Sequence, residues 1–360
     1  MFVGRENELL KLNSWYQRGG MECVVIYGRK RVGKTSLINQ FVKGKTGIFF
    51  QAIEGTLRVN AQAFAKCMEE SGILELVRHE GEKSLPGLLD RIFEAAETHH
   101  LILVLDECQK LSSCWPDFLE VLETLMEKYQ GKSRLFLILS SSSVMFANTS
   151  LLSRKNSNGQ LRGSIAMEVL KMDPFDFFET KTCLNGITDV QAAMIYALTG
   201  GSPDYLQSVD KKAAVERLIR DKYLTPGSRM YEDPTRLFYA ECRDSSGYHS
   251  VMHAISKGAV RMAEICQETG MDTALVSSYV NKLLRMDLII KESPVNAPNS
   301  RKTAYEIKNP MLGFWYRFVY ENISQIEAGN GENLVKTIIP QFSQYMESVF
   351  KKICMQFLIR

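Results

Sequence analysis

The run Gly28-Arg29-Lys30-Arg31-Val32-Gly33-Lys34-Thr35 carries the residue types that hold a polyphosphate. Glycines let a loop curl until its backbone N–H groups converge on an anion. A helix starting at the end of such a loop adds its positive dipole end. Lys34 supplies a compact charge for the outer phosphates, and Thr35 supplies a hydroxyl for Mg2+. The candidate binding set is therefore Gly28, Arg31, Val32, Gly33, Lys34, Thr35 and Ser36, with Lys34 also acting on the transferred group. Such a loop needs an acidic partner, and Leu101-Ile102-Leu103-Val104-Leu105 runs directly into Asp106-Glu107. At the end of a buried strand, Asp106 can share Mg2+ with Thr35, and Glu107 can orient or deprotonate the attacking water.

Two further stretches carry candidates for the same chemistry. The apolar run 135–139 ends in Ser140-Ser141-Ser142-Ser143, where Ser141 or Ser142 would stand between the terminal phosphate and the water, Ser142 being retained in the catalytic set. In the polar, glycine-containing stretch 153–163, Arg154 and Arg162 are candidates to meet transition-state charge, and Arg162 is retained. The Asn-Lys-x-Asp reader of guanine is missing at a strand end, since Asn281-Lys282 lies too far on and lacks the aspartate; this favours ATP. Phe2-Val3-Gly4-Arg5 is placed to pack on the base.

The elements that must position these residues are an alternation of strands and helices. Apolar or β-branched runs occur at 22–27, 46–51, 101–105, 134–139 and 166–170, with helical patterns at 34–43, 57–71, 85–98 and 116–129 between them. Short apolar strands separated by helices predict a parallel sheet covered on both faces. From 174 to 224 the pattern turns wholly helical, and Thr225-Pro226-Gly227-Ser228 looks like a boundary. Helices at 248–257, 261–269 and from 272 or 273 to 286 are followed by short strands at 288–291 and 303–307, which predicts a winged helix-turn-helix. Gly270 would cap the second of these helices, and Asp272 or Thr273 the third. The stretch 334–360 predicts an amphipathic helix broken or started at Pro340. The expected organisation is a phosphate-loop ATPase core over 1–173, a helical lid over 174–229, a winged helix over 230–325, and over 326–360 a packing helix or the start of a further domain.

Composition narrows the class. The chain has 360 residues, 45% apolar and 24% charged, as expected of a folded protein of two or three domains. Net charge is +3, too small to argue for nucleic acid by itself. The eight cysteines form no Cys-x-x-Cys pair and read as reduced thiols of a cytoplasmic protein rather than a zinc site or disulfide framework. No apolar run approaches the length of a transmembrane helix, so no membrane partner is expected.

Phe2-Val3-Gly4-Arg5-Glu6, the phosphate loop, Leu105-Asp106-Glu107-Cys108-Gln109-Lys110-Leu111 and Gly200-Gly201-Ser202-Pro203-Asp204-Tyr205-Leu206 together resemble the archaeal-type ATPases. These are an AAA-like group of P-loop proteins, related to replication-initiator and signal-transduction ATPases. Stretches at 255–259, 263–266, 276–283 and 309–320 resemble the winged-helix domain of the same family. The resemblance implies that Gly33, Lys34 and Thr35 bind phosphate and Mg2+, and that Asp106 and Glu107 form the metal and water site. Two departures stand out. A Gly-Arg pair is common where an arginine finger is proposed, and this chain has Arg162-Gly163. The stretch 334–354 resembles the first helix of the family's C-terminal domain of uncertain function, with Lys351 where glutamate is frequent, and no nuclease activity is assigned to it.

For partners, the third helix of the winged unit would offer Thr273, Ala274, Ser277, Ser278 and Asn281 to a duplex DNA groove. Lys282, Arg285, Arg301 and Lys302 would lie near phosphates. The acids of the domain nearly balance these bases, which leaves a protein partner or a second copy of the chain as the alternative. The expected function is a Mg2+-dependent ATP-hydrolysing switch of low turnover that couples nucleotide state to the winged helix. The alternative is a slowly hydrolysing signalling scaffold whose winged helix binds protein.

Overall fold

The structure, a computed structural model, describes residues 4–73, 84–153, 167–239, 242, 244–293 and 303–360. Contacts divide the chain into two compact units, 1–173 and 174–360. Thr225–Ser228 lies inside the second unit rather than at this division.

The first unit is built on strands β1 (Glu22–Tyr27), β2 (Gly47–Gln51), β3 (Ile102–Asp106), β4 (Phe136–Ser141) and β5 (Met167–Lys171). They form one parallel sheet in the order β2-β3-β4-β1-β5. Alternate residues of the central strands face opposite sides, as a period of two requires. Val24, Ile26, Ile102, Val104, Phe136 and Ile138 pack with Leu12, Trp15, Leu37, Ile38 and Phe41 of helices α1 (Glu6–Tyr16) and α2 (Lys34–Val42). Val25, Tyr27, Leu103, Leu105, Leu137 and Leu139 pack with α3 (Leu57–Glu70), α4 (Leu85–Ala95), α5 (Gln109–Cys114) and α6 (Phe118–Lys128) on the other face. Thr56 and Ser84 cap α3 and α4 by accepting from Val59 N and Gly87 N. The one-turn α7 (Val144–Phe146) follows β4, capped by Ser143.

Two details differ from the sequence reading. Strand β4 extends to Ser141, not 139, because Ser140 and Ser141 pair in register with Ile26 and Tyr27 of β1. The short α5 directly after the acidic pair carries no apolar repeat long enough to announce it.

The second unit opens with α8 (Phe177–Cys183), α9 (Asp189–Thr199), α10 (Pro203–Ser208), α11 (Val215–Tyr223) and α12 (Arg229–Glu232). A winged helix follows: α13 (Ser246–Ser256), α14 (Met262–Thr269), α15 (Thr273–Arg285), and the antiparallel strands β6 (Ile289–Glu292) and β7 (Ala304–Ile307). Gly270 ends α14 in the left-handed conformation, and Asp272 caps α15 by accepting from Leu275 N at 2.9 Å. The unit closes with α16 (Pro310–Phe318), α17 (Ile323–Glu327) and α18 (Gly331–Ile359). Helix α18 runs unbroken through Pro340, against the expected break. An interior proline costs about 3 kcal/mol. Burial of Leu334, Val335 and Ile338 before it and of Phe342, Tyr345, Val349 and Ile353 after it outweighs that, at about 1.5–3 kcal/mol per large side chain.

Candidate functional site

The site forms at the carboxyl ends of β1, β3 and β4. β1 leads into the glycine loop, and α2 starts directly after Gly33, which takes a left-handed φ of 93°. Gly28 sits where a Cβ would lie 2.0 Å from the Met172 carbonyl oxygen, so no larger residue fits there. The Lys34 side chain is buried in the loop and donates to the carbonyls of Gly28 at 2.8 Å and Arg29 at 3.1 Å. Val32 is buried, Arg31 takes a left-handed φ of 70°, and Ser36 is exposed in the first turn of α2.

Strand β3 delivers the acids. Thr35 Oγ1 donates to Asp106 Oδ2 at 3.0 Å, and the Glu107 backbone N–H donates to Asp106 Oδ1 at 3.0 Å. Asp106 is fully buried at the end of its strand. A hydroxyl beside a buried carboxylate is a set of hard oxygen donors, which suits Mg2+. Thr35 and Asp106 would hold the ion. Glu107 turns the chain with a left-handed φ of 54°. Among the described residues only four non-glycines have positive φ, and Arg5, Arg31 and Glu107 are three of them. Each such residue costs about 1–3 kcal/mol, and such outliers cluster at working sites.

Residues 2–209 match the ATPase domain family found predominantly in Archaea. The chain belongs to that ATPase family. Residues 315–360 match a family of archaeal and bacterial proteins of unknown function. An uncharacterized protein of Methanocaldococcus jannaschii is 27% identical over 361 residues, covering 100% of this chain and 77% of its own. An uncharacterized ATP-binding protein of the same organism is 42% identical over 45 residues, 12% of this chain and 76% of its own. A Walker-type ATPase of Pyrococcus abyssi shares the fold, with a TM-score of 0.65 at 18% identity, covering 88% of this chain and 96% of that one.

In this ATPase β4 lies between β1 and β3, so its end falls between the loop and the acids. Of the serines there, Ser142 reaches Glu107, its Oγ donating to Oε2 at 2.6 Å. Ser141 is turned into its own chain, bonding Ser143 O and N, each at 3.1 Å. Gln109, left without a role by sequence reasoning, donates from Nε2 to the same Glu107 oxygen at 2.5 Å and to Ser142 Oγ at 3.1 Å. The only signal for it was its place in the stretch after the acids. Arg154 and Arg162 lie outside the described residues, as do Phe2 and Val3. The buried Arg5 guanidinium donates to Val32 O at 3.2 Å and Asp173 O at 2.5 Å, and pairs with Glu8 at 3.1 Å. It thereby braces the phosphate loop. Among the described residues, no cluster of three or more His, Cys, Asp or Glu could hold a metal, and no helix is long and apolar enough to cross a membrane.

Burial pushes the Lys34 ammonium down from its usual 10.5 to about 8, with Glu107 and Asp106 opposing the shift. Phosphate contact needs the protonated lysine. Affinity for nucleotide should therefore be full below about pH 7 and fall as pH rises through 8. Binding about tenfold weaker at pH 9 than at pH 7 is expected, read by titration with a fluorescent ATP analogue at fixed Mg2+. A flat profile would contradict this assignment.

Proposed function

We propose that this chain is a Mg2+-dependent ATP hydrolase that acts as a switch, with nucleotide state in the first unit passed to the winged-helix unit. The observation that carries the reading is Glu107. It stands beside the Thr35–Asp106 pair and is held by Ser142 at 2.6 Å, as a water-activating base must be held. Held by Thr35 and Asp106, Mg2+ would neutralise negative charge on the nucleotide phosphates. The protein's own groups do the rest. Lys34 exchanges its two carbonyl partners for phosphate oxygens, the loop N–H groups hold the chain of phosphates, and Glu107 takes a proton from water. Arg5 supports the switch reading, because one guanidinium holds both Val32 in the loop and Asp173, the last residue of the first unit.

A second reading, a scaffold whose winged helix binds protein, is favoured by one feature of α15. Lys282, expected near DNA phosphates, sits over the Tyr248 ring at 5.3 Å. Asp272 is spent as the helix cap. The exposed stripe that remains, Ala274, Ser278, Asn281 and Arg285, carries one charge. Arg301 and Lys302 lie outside the described residues. Binding of duplex DNA across a salt series decides between the two. A DNA switch shows affinity that falls steeply with salt and is weakened by Arg285→Glu, whereas a protein-binding scaffold shows neither.

A further inference from the structure

The polar hydrogens around Glu107 form a closed set. Ser142 has a single hydroxyl hydrogen, and its Oγ donates it to Glu107 Oε2 at 2.6 Å. Gln109 has two amide hydrogens. Nε2 gives one to the same Glu107 oxygen at 2.5 Å and the other to Ser142 Oγ at 3.1 Å. A carboxylate only accepts, which fixes the direction of all three bonds. Both donors thus land on Oε2. Glu107 Oε1 takes no hydrogen bond from any described residue, and it is not closed off from solvent. Gln109 makes two of the three bonds. Its own Oε1 is buried and accepts nothing from any described residue, at a cost of about 1–3 kcal/mol. What the amide supplies in return is its nitrogen.

We propose that Gln109 is a positioning residue that makes Oε1 of Glu107 the atom taking the proton from water. This rests on the hydrolytic reading above. Two donors on Oε2 engage its lone pairs and stop the carboxylate from rotating, and hydrogen bonds to an ionised oxygen are the strong kind. Oε1 is left open as the basic atom. The water oxygen forms a bond to the γ-phosphorus, and the bond from that phosphorus to the bridging oxygen breaks, its electron pair leaving on ADP. The proton passes to Oε1 and later to a product phosphate oxygen. Gln109 touches neither water nor phosphate, and it neither gains nor loses a proton. Fixing the base before reaction removes rotational freedom that would otherwise be lost on the way to the transition state. The same hydrogens reassign Ser142. Its only hydrogen is committed to Glu107, so it has none to give to a terminal phosphate, and it too acts by holding the base.

The test uses the whole chain with Gln109→Met, Ser142→Ala and Glu107→Asp singly, and with Gln109→Met combined with Glu107→Asp. For each, kcat, KM for ATP and Tm are read. Gln109→Met should lower kcat about tenfold or more and leave KM and Tm at wild-type values. Ser142→Ala should lower kcat in the same way. Aspartate at 107 is one methylene shorter and falls short of both donors. It keeps a weakened base, so adding Gln109→Met should then change kcat by less than about twofold. A kcat at or above the wild-type value in Gln109→Met overturns the proposal, a rise showing the three bonds to be a brake. So does a loss that multiplies in full onto Glu107→Asp, since Gln109 would then act elsewhere than through Glu107. A rise in KM matching the fall in kcat, or a fall in Tm shared by Gln109→Met and Ser142→Ala, also overturns it, because the residues would then be structural. If Gln109→Met alone fails to fold, Ser142→Ala decides, and a wild-type kcat there overturns the proposal. Absence of hydrolysis by the wild type is a separate result, and it overturns the hydrolytic reading itself.

Discussion

Glu107→Gln is expected to abolish ATP turnover while leaving ATP bound. Among the described residues the carboxylate is the only base held against both Ser142 and Gln109, and an amide in its place cannot take a proton from water. Loss of a positioned general base lowers the rate by about 10²–10⁴. Binding should not weaken. Lys34, the loop N–H groups and Thr35–Asp106 are untouched, and the change removes one negative charge near the phosphates. Phosphate release under single turnover, beside a fluorescent-nucleotide titration, separates the two quantities. Turnover persisting near the wild-type rate would remove Glu107 from its assigned role.

Lys34→Ala is expected to lose nucleotide altogether in the concentration range where the wild type saturates. The ammonium is the one buried cation inside the loop, and hydrogen bonds to charged groups contribute about 1.5–3 kcal/mol each. Two such contacts to phosphate amount to about a hundredfold or more in Kd. The same burial that lowers the Lys34 pKa also opposes folding with the group charged. The ligand-free variant should therefore melt no lower than the wild type. A large fall in its Tm would mean that the lysine holds the loop together, and the binding loss would then have a structural cause.

Much of this was legible in the sequence because local pattern and tertiary environment agree. β1, the glycine loop and α2 are contiguous, and the strand alternation survives burial on both faces. The caps at Asp272 and Gly270 are set within a few residues. What was not legible depends on which strands neighbour one another. That β4 separates β1 from β3 is a tertiary fact, and it brings the end of β4 to the acids, where Ser142 reaches Glu107 while Ser141 bonds the Ser143 backbone. Gln109 gained a role only once α5 turned it back over the acids. Arg5 lies 27 positions from the loop carbonyl it holds, beyond any local pattern. At Pro340 a local rule was outweighed by packing on both sides of the helix. At Lys282 an aromatic ring competes with solvent for the cation.

Thr35, Asp106 and Glu107 are expected to form a working Mg2+-dependent hydrolytic centre. Phosphate release by the purified chain, followed with Mg2+ and with EDTA across a series of protein and duplex DNA concentrations, tests it most directly. Release that requires Mg2+ and disappears in Glu107→Gln is expected. A chain that binds Mg·ATP yet releases no phosphate at any protein or DNA concentration would contradict it.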